Sequence, residues 1–131
     1  MPAVNPEAEG TRYPDVPFVV DTERVRAFRA VFGQAGGVPP TFLTAAEFSV
    51  LPQVIDDPAL GLDFSRVLHG GQSYELERPL REGESLTVRA RIDSVRVRAG
   101  SAFVVIAMDL FDDDDVPVAH ARSTMIERAS A

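Results

Sequence analysis

A chain of 131 residues, 45% of them hydrophobic, is long enough to bury one core and too apolar to be a disordered tail. Its net charge of −7, from 20 acidic against 13 basic residues, repels phosphate backbones and argues against nucleic-acid binding. The absence of cysteine excludes a disulfide framework and a thiolate metal site, and the absence of lysine excludes a Schiff base. No apolar run approaches the ~18 residues that span a bilayer. The opening MPAVNPEAEGTRYPD has no basic stretch followed by an apolar one, so no signal peptide is expected and cytoplasmic residence is the economical reading.

Residues 1–12 are polar with proline and glycine, which predicts a loose arm ahead of one domain over 13–131. Tyr13–Val20 is expected to be extended, because Pro14 and Pro17 forbid helix there. Asp21 or Thr22 is placed to cap a helix over 22–34, in which Val25, Phe28 and Phe32 recur on one face. Gly36, Gly37, Pro39 and Pro40 stop it. Thr41–Ile55 reads as a second, more apolar helix with Thr41 as its cap, ended or kinked by Pro52 and buried on most sides. After a loop, segments 66–78, 85–97, 102–111 and 116–127 read as strands. Leu86, Val88, Ala90 and Ile92 alternate with polar residues, giving one buried and one wet face. The run from Ala102 to Phe111 is nearly all apolar, as for a central strand covered on both faces. Residues 98–101 form a hairpin turn with Gly100 at the tight position, and Asp112–Asp115 form another. Two helices followed by antiparallel strands give an α+β class, with a sheet curled around a helix.

Few residues offer chemistry. Asp112–Asp115 lacks the spaced acidic pattern of a cation loop and reads as a solvated hairpin tip. Gly33–Gly37 follows a helix rather than preceding one, so it terminates that helix and does not cradle a phosphate. His69 and His120 are the two histidines, with no pair at metal-ligand spacing and no serine and acid singled out as triad partners. Gly70 and Gly71 beside His69 permit a bulge or a close backbone approach. Asp109, inside an apolar strand, would titrate unusually if buried.

Three motifs resemble one family. Tyr13-Pro14-Asp15 followed by the Thr22–Gly33 helix is similar to the opening of MaoC-like dehydratase N-terminal domains. Val38-Pro39-Pro40-Thr41-Phe42 resembles the motif that comes next, and Leu68–Val88 resembles the family's strongest signature. The resemblance covers about 13–128 with the motif order kept, and it extends to FAS1-like dehydratases. It includes the (3R)-hydroxyacyl-ACP dehydratase subunits of mycolic-acid synthesis, whose non-catalytic member carries this kind of domain.

The resemblance implies the hotdog fold, with Thr41–Ile55 as the central helix and 22–34 outside it. It implies pairing of two hotdogs and reversible hydration of a trans-2-enoyl thioester to its (3R)-hydroxyacyl form, without cofactor or metal. In such enzymes an Asp and a His activate water while backbone N–H groups polarise the thioester carbonyl. This chain departs from them at the overhang that carries Asp-x-Asn-Pro-x-His: Gly33–Gly37 runs straight into Val38, with no acid or histidine between Glu23 and Glu47. Neither His69 nor His120 matches the family's catalytic position, so no catalytic residue carries over. The implied role is a non-catalytic hotdog subunit acting on acyl-CoA or acyl-ACP, beside a partner hotdog that holds the Asp and His, or as a homodimer. Phe42, Leu43 and Ala46 and the corner His69, Gly70, Gly71 and Gln72 are then expected near the acyl chain. A thioesterase or self-sufficient homodimeric hydratase using Glu47, His69 or Asp109 is the alternative, since related hotdog thioesterases place a helix carboxylate beside the thioester. An acyl-binding or scaffolding hotdog without chemistry is the third reading. The plainer view of Glu47 is an exposed helix position.

Overall fold

The computed structural model describes residues 4–33 and 36–129. Its elements are β1 (Val16–Val19), α1 (Thr22–Phe32), α2 (Leu43–Ile55), β2 (Val67–Leu76), β3 (Ser85–Arg98), β4 (Ser101–Phe111) and β5 (Pro117–Glu127). The strands form one antiparallel sheet in the order β1-β3-β4-β5-β2, so β2 and β1 are its edges.

Local chemistry sets most boundaries. The Asp21 carboxylate accepts from the Arg24 N–H at 3.0 Å and starts α1. The helix ends at Phe32, two residues before the expected 34, because Gly33 takes a left-handed φ of 66° and its N–H turns back to the Ala30 and Arg29 carbonyls. The following residues 34 and 35 lie outside the described residues, and with them part of the expected overhang deletion. Thr41 is not the cap of α2: Pro40–Phe42 is a 3-10 turn that leads into the helix with no side-chain cap. Pro52 does not end α2 either. It forfeits one backbone donor, while buried Val50 and Val54 on either side hold the helix to Ile55. Two-residue closure at Ala99 (φ 50°) and Gly100 (φ 81°) gives the β3–β4 hairpin its twisted turn. In the β4–β5 turn the Asp112 carboxylate accepts from the Asp114 and Val116 N–H groups, so the acidic run is spent on turn geometry. No cluster able to hold a metal occurs among the described residues.

The sheet curls around α2. Leu43, Ala46 and Val50 share a core cluster with Val88, Ala90, Met108, Leu110, Ala119 and Ala121 from the three central strands. A second cluster joins Val54 to Leu60, Ile92, Val104, Ile106 and Met125. Residues 4–12 belong to it and are not a loose arm. Val4 and Ala8 are buried, the Gly10 N–H donates to the Ile92 carbonyl, and the Glu9 carboxylate accepts from the Val95 N–H. Two small apolar anchors in a polar stretch are enough to dock the segment.

The convex face of the sheet differs from the expectation for β4. Phe103, Val105, Asp109 and Phe111 are only half-buried there, with arginine side chains of β3 over Phe111 and against Asp109. The Arg89 guanidinium stacks 4.2 Å from the centre of the Phe111 ring and binds Asp15 and Asp115. Asp109 bonds Arg91 at 2.6 Å and His120 at 2.7 Å, and Arg122 bonds Asp93. No helix among the described residues is long and apolar enough to cross a membrane.

Candidate functional site

A cleft of about 500 Å³ opens between α2, β2, β5 and the turn before β2. Helix α2 and strand β2 run along it in opposite senses. Thr44, Glu47 and Leu51 lie on one helix face at helical spacing, with Phe48 beside them, and Tyr74, Gln72, His69 and Val67 follow one another down the strand. The cleft is therefore zoned. Thr44, Tyr74, Glu47, Gln72, His69 and Ser123 make one part polar; Leu51, Phe64, Val67 and Met125 make the other apolar.

The polar residues form one connected chain. Tyr74 donates to Glu47 Oε1 at 2.7 Å and Gln72 Nε2 donates to Oε2 at 3.0 Å. Because the single phenol proton faces Glu47, the 2.7 Å contact between Thr44 Oγ1 and the Tyr74 oxygen has threonine as donor. The Gln72 amide is fixed by Glu47, so its oxygen faces His69 Nε2 at 3.0 Å, and that nitrogen must carry the proton. Ser123 Oγ lies 3.1 Å from the same nitrogen. This serine-histidine contact is not a catalytic triad: both partners meet Nε2, which is already protonated, and no acid among the described residues is hydrogen-bonded to the ring.

Glu47 is 7% exposed, which corrects the expectation of a solvent-facing helix position. Burial pushes its carboxyl above the usual carboxylate range, while the Tyr74 and Gln72 hydrogen bonds and the nearby His69 pull the other way. Burial likewise pushes the Tyr74 phenol up to about 12, with the Thr44 contact opposing and the Glu47 carboxylate adding to the rise.

The expected acyl-side residues divide. His69 and Gln72 line the cleft with Glu47. Phe42, Leu43 and Ala46 do not: at 2%, 0% and 0% exposure they pack in the core cluster with the sheet. Gly70 and Gly71 do not line it either, but sit at a bulge where β2 shifts register against β5. A side chain at Gly70 would start 2.4 Å from Ile126 Cδ1, so the Ile126 side chain packs over the space that glycine leaves at the bulge. Asp109 and His120 lie together on the convex face, where the Asp109 hydrogen bond raises the His120 pKa with Glu77 assisting. A second cleft of about 460 Å³ on that face is lined by Arg89, Arg91, Asp15 and Asp109, whose charges already pair with one another or with Asp115. Sequence reasoning missed Thr44, Tyr74 and Ser123. The available signal was Thr44, Glu47 and Leu51 at i, i+3 and i+7 on a helix read as buried on most sides.

The FAS1-like dehydratase domain region matches residues 8–121. A UPF0336 protein of Streptomyces avermitilis is 34% identical over 139 residues, spanning 92% of this chain and 93% of its own. The HadBC (3R-hydroxyacyl-ACP dehydratase) complex from Mycobacterium tuberculosis gives a TM-score of 0.74 at 24% identity, covering 91% of this chain and 96% of that one. A MaoC-like dehydratase gives 0.78 at 19% identity, covering 94% of this chain and 43% of that one. The structural likenesses carry the fold, a curled antiparallel sheet with a helix in its grip, and the family match carries the rest: this chain has the hotdog fold and belongs to the FAS1-like dehydratase-region family.

Proposed function

We propose that this chain is the acyl-binding, non-catalytic hotdog subunit of a (3R)-specific enoyl-thioester hydratase or dehydratase, acting on chains carried by CoA or acyl carrier protein. The observation that supports it most is the zoned cleft along α2, apolar at Leu51, Phe64, Val67 and Met125 and hydrogen-bonding at Glu47. Such a cleft suits a thioester whose tail is hydrocarbon and whose reacting end is polar. The missing acid-base segment between Glu23 and Glu47 points the same way, since a partner hotdog would then supply the Asp and His. Pairing, with that partner or a second copy, is favoured by β2. It is a ten-residue edge strand with no strand on its outer side among the described residues, and exposed Phe48, Phe64 and Leu68 lie beside it. HadBC, a complex by name, is a precedent for two hotdogs acting together.

A second reading has its own support: Glu47 is a buried helix carboxylate with a raised pKa, and a thioesterase or self-sufficient hydratase would use such a group as its base. Turnover separates the two. The purified chain alone is expected to hydrate crotonyl-CoA and longer enoyl-CoAs, or hydrolyse the acyl-CoAs, no faster than buffer does. Turnover of roughly 1–1000 per second, lost in Glu47→Gln or His69→Ala at unchanged melting temperature, would overturn the non-catalytic reading in favour of the second.

A further inference from the structure

The protons of the cleft network run toward one group. Thr44 donates to Tyr74, Tyr74 and Gln72 donate to Glu47, and His69 donates to Gln72. An ionised carboxylate accepts about four hydrogen bonds, and Glu47 receives one on each oxygen from these neighbours. Its remaining capacity is for accepting, and it faces the cleft. A ligand that meets Glu47 with a carbonyl oxygen or an alkene sets electron density against a carboxylate and displaces its water without replacing the hydrogen bond. A ligand that meets it with a hydroxyl fills the vacant lone pair with a charge-assisted bond.

From this geometry we infer that Glu47 is a specificity-determining residue: it selects acyl thioesters that bear a hydroxyl close to the thioester over unsubstituted and unsaturated ones. The inference rests on reading the cleft as the acyl site. The zoning fixes where the hydroxyl must lie. With the tail among Leu51, Phe64, Val67 and Met125, the polar part of the cleft meets the head of the chain, and a hydroxyl at the tail end would fall among apolar side chains instead.

Calorimetric titration of the purified chain with four ten-carbon thioesters tests it: 3-hydroxydecanoyl-CoA, decanoyl-CoA, trans-2-decenoyl-CoA and 10-hydroxydecanoyl-CoA. The 3-hydroxy compound is expected to bind at least about tenfold tighter than the other three, the worth of one hydrogen bond to a charged group. In Glu47→Gln, which keeps shape and removes the charge, the preference for the 3-hydroxy compound over decanoyl-CoA is expected to fall below about threefold. Equal affinity for all four in the unmodified chain overturns the selectivity and leaves the acyl site standing, as does a preference that survives in Glu47→Gln. Binding of none of them removes the acyl site itself and the inference with it. Equal affinity, or no binding, in the unmodified chain overturns the proposal without any variant, and if Glu47→Gln fails to fold, Glu47→Asp, which keeps the charge and withdraws it from the cleft, must lower the preference in its place.

Discussion

Leu43→Ala is expected to cost about 2–5 kcal/mol of stability, the usual range for emptying a core site of this size. Leu43 is fully buried at the start of α2, in the cluster that joins the helix to β3, β4 and β5. Helix on one side and sheet on the other leave the cavity little freedom to collapse. A domain of this length loses roughly 3–6 °C of melting temperature per kcal/mol, so a fall of about 6–30 °C is expected in a thermal melt. A leucine that lined the acyl cleft would behave differently, with a small change in melting temperature and a large loss of acyl-CoA affinity. The melt therefore also checks which face of α2 belongs to the core.

The opposite pattern is expected two turns along the same helix. Leu51→Glu puts a second carboxylate one turn from Glu47, in the apolar part of the cleft where the acyl tail would lie. Lost hydrocarbon contact alone costs about 1–3 kcal/mol and the unpaired charge adds to it, so decanoyl-CoA affinity is expected to fall by at least about tenfold. Leu51 is only half-buried, and the far-ultraviolet circular dichroism should stay that of the parent. Unchanged affinity would put the acyl tail somewhere other than this cleft.

These two leucines mark the limit of what the sequence made legible. Strand alternation from Leu86 to Ile92, the Asp21 cap and Gly100 each act within a few residues, so the helices and strands of the sheet could be read to within a few positions. Residues 4–12 and Pro52 misled because their state is decided by distant partners: Val4 and Ala8 by the second core cluster, Pro52 by the burial of its neighbours. The site was half legible for a related reason. Glu47, His69 and Gln72 could be named through the family resemblance, but which face of so apolar a helix meets the sheet depends on the far side of the fold. That is why Phe42, Leu43 and Ala46 were expected beside the acyl chain and Thr44 and Leu51 were not. Ser123 meets His69 across 54 residues of sequence, a distance no local pattern spans.

The measurement that bears most directly on the acyl cleft is photolabelling with an acyl-CoA carrying a diazirine at its chain end, mapped by mass spectrometry. Saturable adducts are expected at Leu51, Phe64, Val67 or Met125, suppressed by excess 3-hydroxydecanoyl-CoA. Adducts confined to the convex face at Arg89, Asp109 or Phe111, or no saturable adduct at all, would contradict the account.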